Sequence, residues 1–466
     1  MNGVKLSETE YRYGLAPSPP GDGVTYQPDV VLIGGGPKAI KSEGADGLTW
    51  TIDGDADHAD ELAEGRIMFA SGRAVGRVLA VSDVGGDKEV ILGPADLTEI
   101  YRDLDFEITE PINLDELIVY PAPGLEAART EFNTSTPDTS TPDATATDES
   151  SRGVVTMPPI SLVAVSRSNA AVSDPDSQPG PVSVGPFTIT PLCCEGSGIG
   201  LRLSYDKDGT KVEAEALFTS GGPAFAKVQV RGGTLQTAEI EMASRALQMQ
   251  FTAGSERGQS ANPHELVVVP VDITVPLFRA GAAPQGNLPL NLTLRQTFLL
   301  STGFSAKNST LGGEGQWLFN GNFGFKYGDG EFVPLISDVT TAKSLLDTID
   351  GVSVGINSFL FASSFSASVG VGSNHFRTGL HIGATAAITA LRQSDIALRP
   401  CKQATLDIEE FFGVGWSISQ KKLDALNAKL RAKGVKEPIQ RSGGFREQVK
   451  LPSRVGDRPK GCAGAS

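Results

Sequence analysis

GVSVGINSFLFASSFSASVGVGSNHF, residues 351–376, contains no Asp, Glu, Lys or Arg, and small polar residues alternate in it with large apolar ones. Apolar side chains at every second position have the period of a β-strand. Val352, Val354 and Ile356 share one parity, whereas Phe359, Phe361, Phe365, Val369 and Val371 share the other, so the register is expected to switch near Asn357. Long, half-buried strands broken by a bulge or turn are the reading.

Upstream, the same punctuation repeats. Thr188 to Leu192, Gly200 to Tyr205, Lys211 to Thr219, Ala226 to Val230, Ala238 to Ala243, Leu247 to Thr252, Glu265 to Val275, Leu288 to Leu300 and Gln316 to Tyr327 read as strands between Gly, Pro and Asn. So many strands in succession predict an all-β, mainly antiparallel protein whose body is a large β-sandwich or barrel. Thr340 to Asp350 is expected to be a helix, with Gly351 past its end. Residues 26–122 hold shorter strand candidates and read as a small β-rich domain behind an N-terminal arm, 1–25. Between domain and body, Thr134-Ser-Thr-Pro-Asp138 is repeated at once as Thr139-Ser-Thr-Pro-Asp143. From Thr134 to Ser151 there is no large apolar residue and such a run cannot pack, so 123–152 reads as a linker or long loop, and 153–420 as the body.

The chain has 466 residues, a formal net charge of −15, 54 Gly and 29 Pro. That charge argues against nucleic acid as main partner, because phosphate binding draws on clustered Lys and Arg. It is unevenly placed. From Lys421 to Ser466 there are twelve Lys or Arg against four Asp or Glu. A short helix capped by Ser419 and carrying Leu423, Leu426 and Leu430 opens this segment, and a basic tail is expected to trail from it. An acidic body with a basic arm suggests docking on a neighbouring copy, and a solvated tail is the plainer alternative. No window is apolar enough for a membrane-spanning helix, and the N-terminus shows no signal-peptide core. Of the four cysteines, Cys193, Cys194, Cys401 and Cys462, one long-range bridge to Cys401 and buried free thiols are both open readings.

Two motifs carry chemistry. Asp29-Val-Val-Leu-Ile-Gly34-Gly-Gly36-Pro-Lys-Ala39 resembles the strand-turn-helix opening of flavin- and nicotinamide-binding Rossmann domains, which would set Gly34, Gly36 and Ala39 on a pyrophosphate and Asp53 near a ribose. That mechanism needs a helix after the turn, and Gly44 and Gly47 stand in its place, so a glycine turn between strands is favoured. Asp53, Asp55, Asp57 and Glu64 have the one-three-five-twelve spacing of an EF-hand calcium loop, with His58 where such a loop carries glycine. Calcium is the one cofactor with a ligand set here. His375 and His381 share a parity but stand roughly 20 Å apart on a continuous strand, too far to hold one metal.

No nucleophile elbow, Walker loop or zinc-protease motif appears. The expectation is a non-enzymatic surface, particle or extracellular structural or adhesive protein, self-assembling as a homo-oligomer through strand edges and the basic tail. Alternatives are a sandwich that binds a lipid, another apolar ligand or a carbohydrate, with Phe359, Phe361 and Phe365 lining the pocket, and an enzyme whose site is assembled from distant loops. An outer-membrane barrel fits the alternation but not the helices and first domain.

Overall fold

A computed structural model describes residues 7–21, 23–44, 47–108, 118–120, 181–184, 187–193, 198–207, 209–220, 224–242, 245–257, 272–276, 290–336, 338–352, 356–372, 376–394, 400–418, 420–433, 442–452 and 454–455. The expected linker, 123–152, and the last residues of the basic tail lie outside them. The protein is all-β and mainly antiparallel, with strands gathered in four sheets.

The first stretch supplies α1 (Glu8–Tyr13), β1 (Val24–Tyr26), β2 (Val30–Leu32), β3 (Ile40–Glu43), β4 (Thr49–Ile52), β5 (Ile67–Phe69), β6 (Val75–Val84), β7 (Asp87–Gly93), α2 (Leu97–Ile100) and β8 (Tyr101–Ile108). β2 to β7 form a small sheet in the order β2-β5-β6-β7-β4-β3. Alternation in Thr49-Trp50-Thr51-Ile52 turns Trp50 and Ile52 into its core. β1 and β8 pair with one another and leave for a larger sheet.

The body continues with β9 (Ile118–Tyr120), β10 (Val182–Val184), β11 (Phe187–Cys193), β12 (Gly198–Lys207), β13 (Thr210–Ser220), β14 (Ala224–Arg231), β15 (Thr234–Met242), β16 (Arg245–Ser255), β17 (Asp272–Pro276), β18 (Asn291–Phe304), β19 (Ser309–Asn320), β20 (Phe323–Gly328), β21 (Glu331–Leu335), β22 (Asp338–Lys343) and α3 (Leu345–Thr348). Two sheets, β1-β8-β14-β15-β20-β21 and β10-β11-β12-β13-β16-β19-β22, divide these strands. Their registers show that they are halves of one meander. Ser220 pairs with Arg245 and, just beyond, Ala224 pairs with Met242. Arg245 also pairs with Phe319, and Met242 with Phe323. Asn320 pairs with Asp338, and Gly324 with Leu335. Four long strands are thus broken along one line and folded there. The expected helix at Thr340 shrinks to one turn, because Val339, Thr340 and Thr341 pair with β19 instead. Two of these three are β-branched Thr and the third is Val, which favour strand.

The folded meander lies on the third sheet, β26-β25-β24-β23-β18-β17-β9, completed by β23 (Ile356–Val371), β24 (Phe376–Ser394), β25 (Pro400–Ile418), helix α4 (Gln420–Ala432), β26 (Ser442–Lys450) and β27 (Arg454–Val455). β23 and β24 pair without a register shift from Ile356↔Gln393 to Val371↔Thr378. The parity switch expected near Asn357 therefore marks where the strand begins, not a bulge inside it. Phe251 stacks on Phe359 with ring centroids 3.9 Å apart, and Phe218 on Phe365 at 4.9 Å, joining one half of the meander to β23. Phe323 meets Phe412 at 5.4 Å and joins the other half to β25. Each such ring, once buried, contributes about 1.5–3 kcal/mol.

The long sheet spans two cores. Its inner face from Phe359 to Phe412 belongs to the main core, whereas Phe376 and Ile418 at its far end pack with Trp50, Ile52, Met68 and Val90 of the small sheet. Where it passes from one to the other, Gly370, Gly379, Gly415 and Gly444 pair in a single rank across four strands. A Cβ on any of them would come within 2.0 to 2.2 Å of a neighbouring carbonyl oxygen. Gly379, Gly415 and Gly444 also have φ of +154°, +128° and +83°. Only glycine fits backbones this close and this twisted.

The described part of the basic segment does not trail away. Leu423, Leu426 and Leu430 of α4 enter the small core, Lys429 Nζ donates to Thr49 Oγ1 at 3.0 Å, and Lys433 Nζ donates to Ser82 Oγ at 3.1 Å. β26 then adds an edge strand to β25. An amphipathic helix with nothing of its own to pack on must find a face elsewhere, and the small sheet supplies it. Leu426 is fully buried, so Leu426→Ala is expected to cost about 2–5 kcal/mol. In hydrogen exchange, protection should fall in β4 and β7 as well as in α4. Loss confined to α4 would contradict the shared core.

Candidate functional site

The outer face of the long sheet carries the chain's least ordinary set of residues. Parity puts Ser364, Ser366 and Ser368 of β23 there, with His381, Gly383 and Thr385 of β24, Glu409, Phe411 and Gly413 of β25, and Arg446 and Gln448 of β26. The serines, His381, Thr385 and Phe411 are half-buried, and Thr385 Oγ1 donates to Ser364 Oγ at 3.0 Å.

Ser368, His381, Gly413 and Arg446 form one cross-strand row. The His381 imidazole lies over Gly413, where a Cβ would stand 2.5 Å from Nε2. One rung along, the Phe411 ring lies over Gly383, where a Cβ would stand 2.1 Å from the ring. The Arg446 guanidinium carbon sits 5.2 Å from the centre of Phe411, within cation–π range. Glycines thus make room for flat rings lying on the neighbouring strand.

Burial, helped by the Arg446 charge and opposed by a hydrogen bond with the Gly379 backbone, pushes the His381 pKa down to about 4. His381 is therefore a neutral imidazole at neutral pH. Its row offers a neutral ring, a cation and a hydroxyl, but its hydrogen bond goes to backbone, not to a serine it would activate.

The residues of the expected calcium loop have other partners or lie exposed. Asp53 faces Lys41 Nζ at 3.2 Å, and Asp87 takes the same ammonium at 2.6 Å. Asp55, Asp57 and Glu64 are exposed. His58 has φ of +66°, so it does take the left-handed turn that a glycine would have supplied. Its Nδ1 meets Glu61 Oε1 at 2.7 Å, which raises the His58 pKa and lowers that of Glu61. Among the described residues no three His, Cys, Asp or Glu side chains are grouped to hold a metal ion.

The dinucleotide-like run ends in a short 3-10 turn, Gly36–Ala39, leading straight into β3. No cradle opens there, since Gly34 lies against Asp57 and Gly36 against Ala16. Phe359, Phe361 and Phe365 all point into the main core, the first and last with their faces on protein rings. His375 lies outside the described residues. Cys401, on β25, is disulfide-bonded, and its partner cysteine lies outside the described side chains.

Sequence reasoning singled out His381 for its spacing to His375, not for its row. The row and the glycine rank need the register of four strands, although Gly370-Val-Gly372, Gly413-Val-Gly415 and Gly443-Gly444 are visible signs of small residues set at strand spacing.

Fold and site together define a multi-sheet, all-β protein with an uncharged, hydroxyl-rich stretch on its longest sheet. Residues 168–447 match a family model described as a domain of unknown function, DUF8402, and residues 9–103 match a second, DUF8403. The first match takes in more than half of the chain, and the chain belongs to the DUF8402 family. No curated protein matches it, and no solved structure matches it. The small core draws on both matched regions, with Trp50 from the first and Phe376, Ile418 and Leu426 from the second.

A histidine whose folded pKa lies below its ordinary 6.5 stabilises the fold fully above that value and loses this contribution as pH falls toward about 4. In an NMR titration the His381 ring should change charge near pH 4, and His58 above its ordinary value. Thermal stability of His381→Gln should fall less between neutral and acid pH than that of the wild type. A His381 titration at its ordinary value would contradict the burial account.

Proposed function

We propose that this protein is a non-enzymatic structural or adhesive component of a surface or particle, working by self-association in an oxidising, extracellular setting. The observation that carries the reading is the long sheet itself. Strands of 19 residues, β24 and β25, span roughly 60 Å at about 3.3 Å per residue. Both halves of the meander brace one face of this plate, and its other face presents hydroxyls, glycines and one neutral imidazole, with Phe411 and the charged Glu409 and Arg446 on its last two strands. Such a plate suits contact and load-bearing better than turnover, because its polar groups are spread along strands and do not converge on a point. A disulfide at Cys401 is consistent with an oxidising compartment. A sandwich enclosing an apolar ligand has less support, since the candidate phenylalanines already fill the core.

The test is size-exclusion chromatography with light scattering and negative-stain microscopy of the full chain. Assembly that grows with concentration is expected. A monomer over about a hundredfold range of concentration, with featureless micrographs, would overturn the reading.

A further inference from the structure

Six large apolar side chains are exposed among the described residues; Val333, Ile336, Leu318 and Val352 lie on or beside the strands that end the meander, and Phe445 is on the strand that ends the long sheet. Val333 is in β21, Ile336 joins β21 to β22, and Leu318 on β19 pairs with Thr340 of β22. Val352 pairs its backbone with Thr310 and continues the same edge beyond α3. Phe445, on β26, packs on Phe332 of β21 with ring centroids 4.5 Å apart. That contact fixes the geometry of the flank, since it sets the terminal strands of the two layers side by side. β21 and β22 end the meander's two halves, and β26 ends the long sheet.

The two edges differ in charge. Exposed Glu331 and Asp338 mark the meander edge, where Asp350 is already paired with Arg392 at 3.3 Å and the Lys343 ammonium with Glu314. Exposed Lys450 and Arg446, the latter with its guanidinium over Phe411, mark β26, against a half-buried Glu447. Resting on the self-association reading above, we propose that this flank is the interface between two copies of the chain. A two-fold axis running along the strands brings each copy's acidic edge against the other's basic edge, with Val333, Ile336 and Phe445 between them. The flank is then complementary to itself, as an isologous dimer requires. Strand edges favour such a partner, because their outward N–H and C=O groups are satisfied only by another extended backbone. β22, without proline, can take up that pairing. Pro334 has no N–H to offer, so contact at β21 falls to the apolar side chains.

The experiment is equilibrium sedimentation of the full-length wild type, Ile336→Lys, Val333→Lys and Val84→Lys, with thermal melts to confirm folding. Val84 is the sixth exposed apolar residue and belongs to the small sheet, away from the flank. Dimerisation of the wild type is expected, weakened roughly tenfold or more by either flank substitution and unchanged by Val84→Lys. A wild type that assembles while both flank variants match it would overturn this interface and leave self-association standing. A wild type that stays monomeric would overturn both.

Discussion

Four glycines in a rank hold the rest of the structure in place. Gly370, Gly379, Gly415 and Gly444 let β23, β24, β25 and β26 approach where any side chain would meet a carbonyl oxygen of the next strand. At that line the long sheet leaves the main core and enters the small one. Without it, Phe376 and Ile418 would have no path to Trp50. The cost is conformational, since glycine in a strand loses more freedom on folding than other residues and packs nothing. Burial on both sides of the line offsets it.

From this crossing follow the positions of both ends of the chain. β25 ends at Ile418 inside the small core, so α4, which begins two residues later, starts beside the small sheet and lays Leu423, Leu426 and Leu430 on it. The chain then returns to pair β26 with β25, and Phe445 closes the flank against Phe332. The small sheet, β1 and β8, the folded meander and α4 are in this way tied to one plate. The aromatic cluster of Tyr26, Phe69 and Tyr101 adds a second tie, because Phe69 is in the small sheet and the tyrosines are in or beside the large one.

The sequence disclosed elements far better than their arrangement. Period-two alternation found β23, and Gly, Pro and Asn punctuation found most of the meander, because both signals are local. Four things escaped for one physical reason, that they depend on which element lies beside which. Lys211 to Thr219 and Ala226 to Val230 read as separate strands, and so do Ala238 to Ala243 and Leu247 to Thr252, although β13 with β14 and β15 with β16 form two long, bent ones. The basic charge of α4 suggested a free arm, while its three leucines, spaced for a helical face, pointed to the docking that occurs. Asp53 looked like a cation ligand from spacing, yet its partner is Lys41, twelve residues back and one strand away. His381 could be seen, but not Gly413 beneath it or Arg446 beyond it.

A plate that crosses two cores implies that neither core melts alone, and this is the claim on which the account stands. The three tryptophans are placed to test it, with Trp50 in the small core, Trp317 in the main core and Trp416 beside Gly443 near the crossing. Fluorine NMR of the chain carrying fluorinated tryptophan, followed through thermal unfolding, reads all three at once. The account predicts that the three native signals disappear in one transition. Loss of the Trp50 signal while that of Trp317 stays native would show two independent domains and contradict it.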